Sequence, residues 1–230
     1  MLRHVNVSMS VVRRLPRYYR FLNHLKESGV TRISSTELSQ KLGLTASQIR
    51  QDLNCFGGFG QQGYGYIVSQ LCDEIGKILG LQSGYKTILL GAGNLGMAIA
   101  NHMAFEADGF RLIGIFDNSP QKIGMTIGGL QVQDVNDLEK FCKKEKPVMA
   151  VLCVPRSAVE ELGKVLYQLG IRNFWNFSHY DISLEYPDTI VENVHLNDSL
   201  MTLCYRICNG RTKKQEMEQK QKNQTELSAD

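Results

Sequence analysis

The six residues Gly91-Ala92-Gly93-Asn94-Leu95-Gly96 follow the apolar run Thr87-Ile88-Leu89-Leu90 and open a stretch of helical periodicity. Glycines at this spacing suit the binding of a pyrophosphate: the first permits a tight turn, the second lets backbone N–H groups approach the anion, and the third lets the next helix pack on the strand. The helix N-terminus then faces the negative charge. The next apolar run ends at Asp117, about 21 residues past Gly96, where a carboxylate can accept hydrogen bonds from adenosine ribose hydroxyls, with Asn118 beside it. An acid there repels a 2′-phosphate, so NAD is favoured over NADP. Cys153-Val154-Pro155 and Asn176-Phe177-Ser178 fall at later strand ends, on the carboxyl edge where ligands bind in such sheets.

Hydride transfer needs a group that handles the proton and a pocket for the second substrate. Of the histidines His4, His24, His102, His179 and His195, only His179 lies near the expected nicotinamide end. A lone histidine is more often a loop or packing residue, and neither Tyr-x-x-x-Lys, H-E-x-x-H nor G-x-S-x-G occurs. The six cysteines form no C-x-x-C pair and no cluster at zinc spacing, so buried, reduced thiols are expected and no metal.

A second kind of chemistry lies upstream. Residues 1–66 carry nine Lys/Arg against three Asp/Glu, in a chain whose net charge is only +3. That bias suits contact with a phosphate backbone. In "ISSTELSQKLGLTASQIRQDLNCFG" two short helices meet at Gly43, capped by Ser34 or Ser35 and by Thr45, with Leu38, Leu42, Ile49 and Leu53 inward, as in a helix-turn-helix. This phase turns Ser47, Gln48, Arg50 and Gln51 toward base edges in a major groove, Arg50 being suited to guanine. Arg13, Arg14, Arg17 and Arg20 on the preceding helix are placed to meet phosphates, and Gln61, Gln62 and Tyr64 to lie along a groove or backbone. The plainer alternative is a helical domain with a solvated basic face.

These residues require an α/β architecture in two parts. The first, residues 1–82, is read as a winged helix-turn-helix: one amphipathic helix over Ser10–Ser28 closed by Gly29, the helix pair, a β-hairpin in "GGFGQQGYGYIV", and a helix over Ile67–Leu81. The second, residues 83–192, alternates "TILLGAG", "RLIGIFD", "VMAVLCVP" and "RNFWNF" with helical stretches, as a Rossmann-type doubly wound parallel sheet does. A C-terminal helix follows within residues 193–210, with Asn197 or Asp198 as cap, Leu200, Leu203, Cys204, Ile207 and Cys208 on one face, and Gly210 as stop. The polar tail, residues 211–230, is expected to be disordered. No run of about 18 apolar residues occurs and the start lacks a signal peptide's features, so a cytoplasmic protein with no membrane span is expected.

Taken together, "RLPRYYRFL", "ISSTELSQKLGLTASQIRQDLNCFGGFG", "GYGY", "LLGAGNLGMAIANH", "FDNSPQKIG", "VPRSA" and "NFS" resemble the Rex family of redox-sensing transcriptional repressors, from about residue 8 to 208. The resemblance implies a homodimer, not an enzyme, whose winged helix binds a palindromic double-stranded DNA operator. It implies a Rossmann domain that senses the NADH/NAD ratio, with NADH closing the dimer and favouring release, and a C-terminal dimerisation helix swapped onto the partner. His102 stands where the family usually has a tyrosine and His195 where it usually has an aspartate. The Tyr–Asp hydrogen bond of the closed state is thus replaced by two histidines, which makes them candidate switch residues with a weakened, altered or pH-tuned response. "NFSHYD" replaces the usual Asn-Phe-Ala-Pro, and Gln61 and Gln62 stand where basic wing residues are usual. The competing readings are an NAD-dependent oxidoreductase with a helical N-terminal extension, and a DNA-binding protein whose nucleotide response is lost or altered.

Overall fold

The computed structural model describes residues 7–59 and 64–210. The chain divides into two compact units, the first of Met1–Tyr85 with Ala104–Arg111, the second of Lys86–Met103 and Leu112–Asp230. The segment Ala104–Arg111, which the sequence reading gives to the second part, thus belongs to the first. There Tyr85 N–H donates to Gly109 O at 2.9 Å and the rings of Tyr85 and Phe110 lie 6.0 Å apart. Gly109 has φ +85°, and a Cβ on it would sit 2.7 Å from Gly80 O.

The first unit begins with α1 (Met9–Val12) and α2 (Leu15–Glu27). The single helix expected over Ser10–Ser28 is therefore two, because Pro16 cannot donate within a helix and is accommodated only in a first turn, here that of α2. Leu15, Tyr18 and Leu22 recur every three or four residues and are buried. After β1 (Arg32–Ile33) comes α3 (Ser35–Leu42), opened by a capping box in which Ser34 Oγ accepts Glu37 N–H at 3.1 Å and Glu37 Oε2 accepts Ser34 N–H at 2.7 Å. Gly43, at φ +61°, ends it in the left-handed conformation that a helix-turn-helix corner needs. Then α4 (Ala46–Asn54) starts with Gln48 N–H bonded to Thr45 Oγ1 at 3.1 Å, and buries Ile49 and Leu53. A short β2 (Tyr66–Ile67) leads to α5 (Val68–Leu79), which packs on α2. The strand β2 pairs antiparallel with β1, and the hairpin expected in "GGFGQQGYGYIV" runs through residues 60–63, which lie outside the described residues. Gln61 and Gln62 lie outside the described residues, as does the tail 211–230.

A buried carboxylate ties α4 to the first helices. Asp52 is 0% exposed, and it accepts Arg14 Nε at 2.6 Å, Arg14 Nη2 at 2.8 Å, Tyr18 Oη at 2.6 Å and Gln48 Nε2 at 2.8 Å. Burial alone would raise its pKa, but these four donors outweigh it and hold Asp52 below the usual carboxylate range.

The second unit is a seven-stranded sheet in the order β5-β6-β4-β3-β7-β8-β9. Its strands are β3 (Tyr85–Leu90), β4 (Phe110–Asp117), β5 (Thr126–Ile127), β6 (Leu130–Asp134), β7 (Met149–Leu152), β8 (Asn173–Asn176) and β9 (Ile190–Asn193). β4 with β6, β3 with β7, β7 with β8 and β8 with β9 are parallel, and β5 with β6 is the one antiparallel pair among the described pairings of this sheet. Helices α6 (Asn94–His102), α7 (Leu138–Glu145) and α8 (Arg156–Gln168) link strands in the doubly wound manner. The four strands read from the sequence are present. β5, β6 and β9 escape that reading because "TIGGLQVQD" and "IVEN" mix polar residues into short strands at the two ends of the sheet.

Residues 196–210 are helical and exposed on every side. Helix begins one residue before Asn197, so His195 stands at the cap position and Asn197 and Asp198 lie in the first turn. Gly210 is still helical rather than a stop. Cys204 and Cys208 on this helix are exposed, against the expectation of burial; Cys72 and Cys142 are buried, and no disulfide joins any of the six cysteines.

The Asp52 cluster gives a test of how the first unit is held. Removing one partner of a buried charge pair costs about 3 kcal/mol, so D52N lowers the unfolding free energy by about 2 kcal/mol or more at pH 7, allowing for the partial exposure of Arg14. Because the folded pKa of Asp52 is depressed, its contribution is present above the unfolded value and is lost as pH falls through the folded one. Urea unfolding followed by circular dichroism at pH 7 and below about pH 4 reads a gap that narrows in acid.

Candidate functional site

The carboxyl ends of β3, β4 and β7 enclose a cleft of about 680 Å³, lined among others by Gly91, Gly93, Asp117, Asn118, Cys153, Val154 and Pro155. That volume lies within the range of small-molecule and cofactor sites, about 300–1,000 Å³. Seven of the residues picked from the sequence thus meet at one place. Residues that sequence reading missed also line it: Lys122, Val135, Asn136, Glu139, Glu161 and Leu162. They come from loops and helices after the strands; Lys122 falls within "FDNSPQKIG", and no motif marks the others.

The three glycines have separate reasons to be glycine. Gly91 has φ +96°, its N–H donates to Phe116 O at 2.8 Å, and a Cβ there would lie 2.5 Å from Cys153 O. A Cβ on Gly96 would lie 1.8 Å from Gly91 O, so the close packing of α6 on β3 excludes any side chain. Gly93 differs from both: its φ of −74° is open to any residue, and a Cβ on it would meet nothing within 4 Å. The protein's own packing does not require glycine at position 93, which faces the cleft, and a ligand approaching the backbone there would. Gly93 is the N-cap of α6, and no side chain caps that helix, leaving its positive end for an anion. Asn94 and Leu95 form its first turn and are exposed.

Asp117 closes the other side. Its Oδ2 accepts Ala92 N–H at 2.7 Å and lies 3.3 Å from Lys122 Nζ, while Oδ1 accepts Ser119 N–H at 2.8 Å. Burial pushes its pKa up, but the backbone N–H groups of Ser119 and Ala92 and the Lys122 ammonium prevail, so Asp117 stays ionised well below neutral pH. Burial pushes the Cys153 thiol up to about 12, which makes it an apolar wall rather than a nucleophile.

Asn176, Phe177 and Ser178 do not line this cleft. Asn176 is fully buried; its amide donates to Tyr180 O and Asn193 Oδ1, and its Oδ1 accepts Ser178 N–H and Ser178 Oγ–H. Its hydrogen-bonding capacity is spent inside the unit. Phe177 packs edge-on against Trp175 at 4.8 Å. His179 is exposed and its ring stacks on His195 at 5.1 Å, with His195 Nδ1 3.7 Å from Asp198 Oδ2. His102 is the exposed last residue of α6.

In the first unit, Ser47, Arg50 and Gln51 are exposed on α4, and Arg50 Nη1 donates to Ser35 Oγ at 3.0 Å. Arg13, Arg17 and Arg20 are exposed near and along α2, and Tyr64 is exposed. Arg14, expected to meet a phosphate, and Gln48, expected to reach a base edge, both spend donors on Asp52 and thereby hold α4 in place.

Residues 6–54 match the family model described as "Putative DNA-binding protein N-terminus", and residues 82–180 match that of the "CoA binding domain". The chain is 49% identical over 215 residues to a redox-sensing transcriptional repressor Rex of Caldicellulosiruptor saccharolyticus, covering 94% of this chain and 98% of that protein. Three solved structures of RSP, a Rex-family repressor, are similar over 91–92% of this chain, and two of them hold ligands. One, a complex with β-NAD+ and operator DNA, has a TM-score of 0.82 and 51% identity, covering 91% of this chain and 96% of that one. The other, a complex with β-NADH, has a TM-score of 0.83 and 47% identity, covering 92% and 99%.

Thermal melts separate the roles of the glycines. G96A, forced against Gly91 O, destabilises by about 2 kcal/mol or more, whereas G93A costs under about 1 kcal/mol, the N-cap preference for glycine over alanine, because its methyl meets no protein atom. A G93A protein as unstable as G96A would show that position 93 is glycine for packing.

Proposed function

The chain belongs to the Rex family of redox-sensing transcriptional repressors, and from that premise we propose that it represses transcription by binding operator DNA through its first unit and releases it when NADH occupies the cleft of the second. One observation carries this: a helix-turn-helix with an exposed Ser47-Arg50-Gln51 face and a cleft with an open helix end opposite an ionised Asp117 stand in a single chain. The relatives are named repressors, and this chain is a repressor rather than an enzyme; the oxidoreductase reading gives way to that.

Gly91 to Gly96 hold the pyrophosphate and Asp117 the adenosine ribose, with Asn118, Cys153, Val154 and Pro155 completing the walls. Arg50 reads a base edge, Arg13 and Arg17 take phosphates, and Arg14 and Gln48 act through Asp52 to fix the reading helix. The working form is a homodimer on a palindromic site. Leu200, Met201, Leu203, Tyr205 and Ile207 are each 47% or more exposed on the helix at 196–210, an apolar surface that a second copy of the chain covers in that assembly. No helix among the described residues is long and apolar enough to cross a membrane, and none of their His, Cys, Asp and Glu side chains cluster as a metal site. A repressor of this kind works in the cytoplasm.

Redox sensing is then linkage. A ligand that prefers the conformation unable to bind DNA must weaken DNA affinity by the ratio of its two affinities. His102 at the end of α6 and His195 just before the helix at 196–210 are the candidate switch residues.

Fluorescence anisotropy of a labelled palindromic operator, at fixed salt, tests the proposal. NADH is expected to weaken operator binding about 5- to 150-fold, with NAD far less effective. Operator binding indifferent to both nucleotides would leave a DNA-binding protein with a lost or altered response.

A further inference from the structure

Arg50 is the longest side chain on the reading face of α4, and ordering a side chain with so many rotamers at the moment of contact costs affinity. Here it is held in advance: its Nη1 donates to Ser35 Oγ at 3.0 Å. Ser35 is the first residue of α3, on the other helix of the pair. Two neighbouring serines stand at the start of that helix, and either is of the type that caps one. Ser34 takes the cap, with its Oγ on Glu37 N–H, and the Ser35 hydroxyl is left for the arginine.

The frame around Ser35 is fixed by contacts that do not involve Arg50. The capping box pins the backbone at Ser34 from one side. From the other, Gly65 comes so close that a Cβ on it would lie 2.6 Å from Ile33 O and 3.3 Å from Ser34 Cα, while Ile33 pairs with Tyr66 across β1 and β2. Tyr66 is buried, which pushes its hydroxyl pKa up, and the positive charge of Arg50 opposes that rise. The Arg50 charge is thus felt at β2 as well as at α3.

Donor arithmetic decides whether an arginine held in this way can still read a base. A guanidinium carries five N–H donors in a planar fork, and Ser35 takes one of them, on Nη1. That bond leaves Nε–H and both N–H groups of Nη2, and one edge of the fork serves the O6 and N7 acceptors of guanine. Because the fork is planar, holding Nη1 restricts the direction in which that edge points.

We infer that Ser35 is a positioning residue for base recognition: its hydroxyl holds the Arg50 fork in place before DNA arrives, so that a residue on the first helix of the pair governs what the second one reads. The inference rests on the reading of Arg50 as a base contact and deepens it.

The test follows binding of the full-length protein to a labelled palindromic operator by fluorescence anisotropy, at fixed salt and without nucleotide. R50A checks the underlying reading and is expected to weaken binding about tenfold or more. S35A is expected to weaken it about three- to tenfold in the wild-type background, and by less than about twofold once Arg50 is already alanine. S35T keeps the hydroxyl and binds within about twofold of the wild type, whereas its isostere S35V behaves as S35A does. Replacing the operator guanines in turn by 7-deazaguanine, which lacks the N7 acceptor, adds a reading that a merely structural role would not move. The guanine whose replacement costs the wild type and S35T most is expected to matter less to S35A, and least to R50A. S35A and S35V as tight as the wild type, beside a weakened R50A, would overturn the proposal. So would a loss in S35A that persists in full without Arg50, since Ser35 would then touch DNA itself. R50A as tight as the wild type would overturn the base-reading role of Arg50, and the positioning role would fall with it.

Discussion

The hydrogen bond from Ala92 N–H to the buried Asp117 carboxylate, 2.7 Å long, joins the tip of β4 to the turn between β3 and α6. A carboxylate 8% exposed is tolerable only when its oxygens are satisfied, and the donors that satisfy it are the turn itself, Ser119 N–H and Lys122. The bond therefore fixes two things together. It sets the turn so that the open end of α6 faces the cleft, and it holds an ionised acid beside that end. The approach of Gly96 to Gly91 O brings helix and strand close enough for this, and it exists only because Gly96 carries no side chain.

The first unit solves a related problem with the same element. Asp52 lies on the inward side of α4, and its donors come from Arg14 and Tyr18 on one side and Gln48 on its own helix. Apolar contacts through Ile49 and Leu53 would hold α4 in place but allow it to roll, since they have no direction. A carboxylate gripped from two sides by directional bonds restricts the roll, and with it the direction in which Ser47, Arg50 and Gln51 point. In each unit a buried acid is thus the device that orients a working surface.

Much of this is legible in the sequence, for reasons that can be stated residue by residue. Gly43, Ser34 and Thr45 announce the helix corner because local backbone chemistry leaves few alternatives. The glycine turn and Asp117 are legible because their spacing follows from strand and helix geometry. What the sequence hides is pairing between distant residues. Nothing local says that Arg14 and Gln48 will be spent on Asp52, 38 and 4 residues away, or that Asn176 will close its bonds internally. The partnership of β1 with β2 and the short polar strands β5, β6 and β9 are hidden in the same way, since what pairs them is register rather than composition. Lys122 stands within "FDNSPQKIG", but its ion pair with Asp117 shows only in the fold.

The proposed function joins the two working surfaces by thermodynamics, and the joint is reciprocal. If NADH in the cleft weakens the hold on operator, operator must weaken the hold on NADH by the same factor, whatever the path through the protein. The direct measurement is calorimetric titration of NADH into the protein alone and into the protein saturated with operator. A fall in NADH affinity on DNA, equal to the fall in operator affinity with NADH, is the expected result. Equal NADH affinity in the two titrations would mean that the cleft and the DNA face are independent, and the redox-sensing function would be contradicted.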